Sequence, residues 1–73
     1  MKLKEVRARR LFTVRALAKQ SGVSEASIHS VEQGKWLPSL GTIAKLSEAL
    51  GVKPEEVEEF KAAIDKAAGQ SSQ

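Results

Sequence analysis

His29 is the only histidine in this 73-residue chain, and it stands four residues after Glu25, one helical turn away on the same face. An imidazole can act as a general base or hold a metal. A metal site would call for a second histidine or a cysteine at ligand spacing, and the chain has no cysteine. Covalent catalysis would call for a nucleophile, a base and an orienting group brought together, and no such set is present. Neither catalytic residues nor a metal or cofactor is therefore expected. The role left to His29 is hydrogen bonding, either as a donor facing a groove or in a solvated pair with Glu25. Its neighbours suit the first role. With successive residues about 100° apart around a helix, Ala26, His29, Ser30 and Gln33 form one stripe, Glu25 lies at its edge, and Ser27, Ile28 and Val31 point the other way. Each member of the stripe is small or able to hydrogen-bond, so this face fits a groove about 12 Å wide. A merely solvated face is the alternative, although such faces usually carry Lys and Glu pairs in abundance.

The stripe needs a helix beneath it, and the chain supplies helical spacing from end to end. Apolar residues recur at i, i+3 and i+4, and no segment alternates convincingly over strand length. Five helices are expected. The first covers Leu3 to Arg10. Thr13 caps the second, Val14 to Ser21, through a hydroxyl that accepts from a free amide. Gly22 and Val23 close that helix, and Ser24 opens the third, Glu25 to Gln33. Gly34 closes the third, Pro38 and Ser39 open the fourth, Leu40 to Leu50, and Gly51 and Val52 end it. Pro54 starts the fifth, which runs to about Ala68 with Glu55 and Glu56 near its positive end. Residues 1–68 would form one domain, with a helix-turn-helix at about 13–33. Residues 69–73, lacking any apolar anchor, are expected to be a disordered tail.

Composition narrows the setting. A chain this short has room for one domain, and without cysteine it has no disulfide framework. Its first residues are charged and reach no apolar run fit for a signal peptide or membrane span, so a soluble, uncleaved, cytoplasmic protein without a membrane partner is expected. The net charge of +3 is unevenly spread. Residues 1–47 carry nine Lys and Arg against three acids, and residues 48–73 carry three against six. The basic front is the side that would attract a polyanion, although a solvated surface also explains such charge.

Glu32 falls on the inward side of the third helix, where a lone carboxylate would be costly. Arg7 lies between Leu3 and Leu11 on the apolar side of the first helix. An internal Arg7–Glu32 ion pair, bolting the first helix to the third, is therefore expected, and both residues are assigned to structure.

Two short helices joined by a glycine turn are the layout of a helix-turn-helix, and also of an ordinary helical hairpin. The residues go further. Leu3-Lys-Glu-Val-Arg7, Leu17-Ala18, Gly22-Val-Ser24, Pro38-Ser39-Leu40, Leu46-x-x-x-Leu-Gly-Val52 and above all Ile28-x-x-Val-Glu-x-Gly-Lys-x-x-Pro38 resemble the phage-repressor and Cro-like helix-turn-helix proteins, the XRE family, over roughly residues 3–60. The resemblance implies an all-α, five-helix, lambda-repressor-like fold that binds double-stranded DNA. It implies that the residues matching Arg7 and Glu32 pair internally and that the third helix reads bases. Carried over position by position, Glu25, Ala26, His29 and Ser30 are the base-edge candidates. Thr13, Val14, Arg15, Ser24, Gln33, Lys35 and Trp36 are the phosphate candidates, with free amides at the start of the second helix facing outward. The chain departs from the pattern at Val14, where the family usually has a glutamine, and at Glu25, Ala26 and Ser30, where longer polar residues are common. Glu25 can still accept from a cytosine amine and Ala26 touch a thymine methyl, with shape and phosphate contacts carrying the rest.

Val57, Phe60, Ala63, Ile64 and Ala67 share one side of the fifth helix. Phe60, Ile64 and Ala67 are candidates for a homodimer contact, which would place two copies on half-sites about 34 Å apart. Folding back on the domain's own core is the alternative. Trp36 could stack on sugar-phosphate, pack on a partner subunit or cover the loop between the third and fourth helices. The leading expectation is a sequence-specific, nucleoid-associated transcriptional repressor. The other is a protein-interaction module on the same fold, an antitoxin or a transcriptional co-regulator, with a protein partner and weak DNA affinity.

Overall fold

The computed structural model describes the backbone of residues 1–71 and the side chains of residues 1–69. The described residues form α1 (Leu3–Arg9), α2 (Val14–Ser21), α3 (Glu25–Glu32), α4 (Leu40–Leu50), a 3-10 turn (Pro54–Glu56) and α5 (Glu58–Ser71), with no strand among them. Each helix contributes an apolar stripe to one core: Leu3 and Val6, Leu17, Ile28 and Val31, Ile43, Leu46 and Leu50, and Phe60 with Ala63. Val23 and Val57 fill it from the connections. No described helix is long and apolar enough to cross a membrane.

Three helices start on hydroxyl caps. Thr13, Ser24 and Ser39 accept from the amides of Ala16, Ser27 and Thr42 at 3.0, 3.2 and 3.3 Å, satisfying donors that have no partner inside the helix.

The helix ends differ more from the sequence expectation. α1 stops at Arg9, and Leu11 is not on its apolar side: the residue has φ 61° and is 92% exposed. The reason is the closing motif. The Leu11 amide donates to Ala8 O at 3.0 Å and the Phe12 amide to Arg7 O at 3.0 Å, which requires a left-handed residue between them. α3 closes in the same way, with Gly34 at φ 73°, its amide on Val31 O and the Lys35 amide on Ser30 O. Glycine takes that conformation without a Cβ penalty, whereas leucine does not. Leu11→Gly should therefore stabilise the domain by about 0.5–1 kcal/mol, the left-handed strain removed less the extra flexibility of the unfolded glycine. Thermal unfolding is the check, and a lower midpoint for the variant would contradict this account of the turn.

The fifth helix also starts later than expected. Pro54–Glu56 is a separate 3-10 turn, held by the Lys53 amide on Glu56 Oε2 at 2.7 Å, and Val57 is extended and fully buried. The break turns Val57 into the core, and the Glu58 amide then donates to Met1 O at 2.8 Å. At its far end α5 passes Ala68 and Gly69 and continues to Ser71. A single glycine in an alanine-rich helix costs only about 1 kcal/mol, which does not force a stop there. The rest of the expected tail, residues 72–73, lies outside the described residues.

Phe60 is not available for a dimer contact, because its side chain is completely buried in the monomer core. Ile64 packs on the edge of that core and Ala67 is half-buried.

Candidate nucleic-acid interface

α2 and α3 are joined by Gly22, at φ 79°, whose amide donates to Ala18 O at 2.9 Å. Val23 then drops into the core and Ser24 begins α3, so the second helix of the pair is set by a short and rigid turn. Ile28 and Val31 anchor α3 from behind. Glu25, Ala26, His29 and Gln33 lie exposed on its other side, and Ser30 is half-buried at the margin.

The anchoring is also ionic. Arg7 Nε donates to Glu32 Oε2 at 2.7 Å and its terminal nitrogen to Glu32 Oε1 at 3.1 Å, a fork-on-fork geometry. The third arm of the guanidinium donates to Phe12 O at 2.9 Å. One side chain thus ties the end of α3 to the turn that leads into α2. The hydrogen bond to Glu32 raises the Arg7 pKa above the ordinary arginine value, burial opposes this, and the charge of Glu32 adds to it. The guanidinium therefore stays protonated throughout the physiological range.

The phosphate candidates surround the exposed stripe. Thr13 is exposed and spends its hydroxyl on the Ala16 amide, which leaves the Val14 and Arg15 amides at the positive end of α2 without a partner among the described residues. Val14 itself leans on the core and offers only that amide. Arg15 is exposed on the outside of α2. The Ser24 hydroxyl is taken up in its own cap, accepting from the Ser27 amide and donating to Ser27 Oγ at 2.9 Å. Gln33, Lys35 and Trp36 are exposed beyond the far end of α3.

The structure adds one cation that the sequence reading passed over. Lys19 lies one turn after Arg15 on α2, and both line a shallow cleft with Gly22, Ser24 and Glu25. The signal was present, since two basic residues at i and i+4 share a helix face. No group of His, Cys, Asp and Glu able to hold a metal occurs among the described residues.

Two helices at a glycine turn, the second backed by apolar anchors and an ion pair and bare on its polar side, make a helix-turn-helix in three dimensions. The sequence pattern of the helix-turn-helix domain family matches residues 1–60. The chain belongs to that family. It is an all-α helix-turn-helix DNA-binding domain, with α2 and α3 as the defining pair. Over 56 residues, 77% of this chain and 85% of the relative, it is 43% identical to an uncharacterized HTH-type transcriptional regulator of Methanocaldococcus jannaschii. It is 47% identical over 51 residues to the HTH-type transcriptional repressor RghR of Bacillus subtilis, covering 68% of this chain but only 38% of that repressor. A further uncharacterized HTH-type transcriptional regulator of B. subtilis, YgzD, is 34% identical over 56 residues, 77% of this chain and 85% of its own. No solved structure matches.

Proposed function

We propose that this helix-turn-helix domain binds duplex DNA sequence-specifically and regulates transcription, laying α3 in the major groove and acting as a repressor by occupying its site. The observation that carries the reading is the bare polar face of α3 held rigidly from behind. Glu25, Ala26, His29 and Ser30 would meet base edges, where short side chains let the helix approach closely. The free amides at Val14 and Arg15, the side chains of Arg15 and Lys19, and Gln33, Lys35 and Trp36 beyond α3 would grip phosphate on either side. The family and the regulators that resemble the chain support DNA-dependent regulation, and the repressor named among them supports the sign.

Binding to a random pool of duplexes, followed by sequencing of what is retained, tests this directly. Affinity should fall on the order of a hundredfold between 50 and 200 mM salt if about four phosphates are engaged per chain. His29→Ala should change the retained sequences while leaving the melting temperature unchanged. A flat salt response, or a pool that emerges unenriched, would sink the reading.

A protein-interaction role is favoured by a different observation: the reading face is thin and includes an acid, while Trp36 and Leu37 stand exposed beside it. That role predicts a weak duplex affinity that enriches no sequence from the pool.

A further inference from the structure

We propose that Glu25 and His29 act as one reading unit, which selects a cytosine and a guanine in the same or the next base pair and takes up a proton on the imidazole as it binds. The unit rests on the DNA-binding reading of α3 and gives that helix a target. Both residues are exposed on the outer side of α3, one turn apart, and neither side chain has a hydrogen-bond or ion-pair partner among the described residues. The solvated pair that their spacing allows is not formed, so both groups are free for a ligand. Ile28, Val31 and the Arg7–Glu32 clasp fix the helix beneath them. Side chains one turn apart have Cβ atoms about 5–6 Å from each other, and stacked base pairs rise by about 3.4 Å, so the two reach one pair or two neighbouring ones.

The two chemistries match one kind of step. An ionised carboxylate only accepts hydrogen bonds, and a protonated imidazole only donates them, from both ring nitrogens. In the major groove cytosine offers an amine to an acceptor, and guanine offers N7 and O6 side by side to a donor. Adenine also has an amine, but its N7 acceptor lies beside it and repels a carboxylate.

Charge decides the protonation. Glu25 carries its carboxylate into a groove walled by phosphates, where a lone anion is repelled. The positive end of α3 favours an acid at its first residue without cancelling those phosphates. The cations around the unit are placed for other work. Arg15 and Lys19 of α2 line the cleft beside Glu25 without pairing with it, and on the reading above they grip phosphate. Arg7 of α1 is turned inward to Glu32, Lys35 lies beyond the far end of α3, and Lys45 and Glu48 of α4 line a separate cleft at the end of α2. His29 is the group on the same face that can supply the missing charge, and histidine is the side chain that gains one between pH 5 and 8. The complex then holds more protons than the free chain, so affinity rises as the pH falls and is lost as the pH rises.

The random-pool selection is repeated near both ends of that range, and binding of the retained duplex is followed between them. The retained site should carry a fixed G·C pair or G·C step. The parent should lose affinity on the order of tenfold from about pH 6 to about pH 8, within the limit of tenfold per pH unit that one proton permits. His29→Asn should bind weakly throughout with a flat profile, and the difference between the two profiles belongs to the one histidine of the chain. His29→Lys, permanently charged, should keep the acid-side affinity at the alkaline end. Glu25→Gln should reduce the slope and release the choice of cytosine. Melting midpoints confirm that each variant is folded. A parent whose affinity ignores pH, a slope that survives His29→Asn, or a retained site without the G·C step would overturn the proposal and leave the DNA-binding reading standing. Failure to bind any duplex at either end of the range would end both.

Discussion

Glu32→Ala should lose about 3–5 kcal/mol of stability, enough to unfold much of a domain this small at 37 °C. The pair it breaks is sheltered, with side-chain exposures of 14% for Arg7 and 8% for Glu32. Removing the carboxylate strands a guanidinium that cannot deprotonate and whose only other partner among the described residues is Phe12 O. Arg7→Ala should lose a comparable amount, because the reverse charge is then left without its fork and the Phe12 carbonyl without its donor. The midpoint of thermal unfolding should drop by roughly 12–40 °C in either variant, given about 4–8 °C per kcal/mol for a chain of this length. Arg7→Met combined with Glu32→Leu should recover most of the loss, since an apolar pair removes both the attraction and the desolvation cost. A Glu32→Ala protein that melts with the parent would show that the two groups are solvated in solution. The stakes extend to the interface, because the same guanidinium fixes the end of α3 against the turn into α2.

The second large effect is expected at Phe60. Phe60→Ala should cost about 3–5 kcal/mol, the loss of a fully buried aromatic together with the cavity that remains. The form of the failure is as informative as its size. A side chain at a subunit contact would leave a folded monomer when truncated, with unchanged helical content and a melting midpoint that no longer depends on protein concentration. A side chain in the monomer core leaves a protein that melts early at every concentration. Circular dichroism melts across a hundredfold dilution, about the range needed to expose such a dependence, separate the two. A folded, stable Phe60→Ala monomer would return Phe60 to the interface.

Why Phe60 could be read either way from the sequence is instructive. Val57, Phe60, Ala63, Ile64 and Ala67 have helical spacing, but spacing gives only the side of α5 that is apolar, not whether the covering surface comes from the same chain. That depends on how α4 and α5 meet, which places Leu46, Leu50 and Val57 in one cluster with Phe60. Leu11 shows the same limit from the other direction. Its phase continues the apolar side of α1, but the helix closes at Arg9 and the left-handed turn swings the side chain into solvent. Propensity could not announce this, since a glycine is the usual occupant of such a turn.

Elsewhere the local signals were sufficient. The bounds of α2 and α4 follow from their caps and glycine stops, because a hydroxyl before the helix and a left-handed residue after it satisfy orphan backbone groups without help from the rest of the fold. The stripe of α3 was legible because one side is apolar and the other is not, which is enough to set its rotation. Arg7 and Glu32 could be paired across 25 positions because each breaks the apolar side of its helix, and a buried charge must find its opposite.

The sequence alone thus determined the helices, their inward sides and the family pattern, since these depend on forces acting within a few residues. Tertiary structure decided what those sides meet: Phe60 in the core, Arg7 reaching Phe12 O as well as Glu32, Leu11 in solvent, and Trp36, Leu37 and Leu40 left uncovered. Those outcomes rest on the packing of distant helices, where burial is shared among surfaces that no local spacing can bring together.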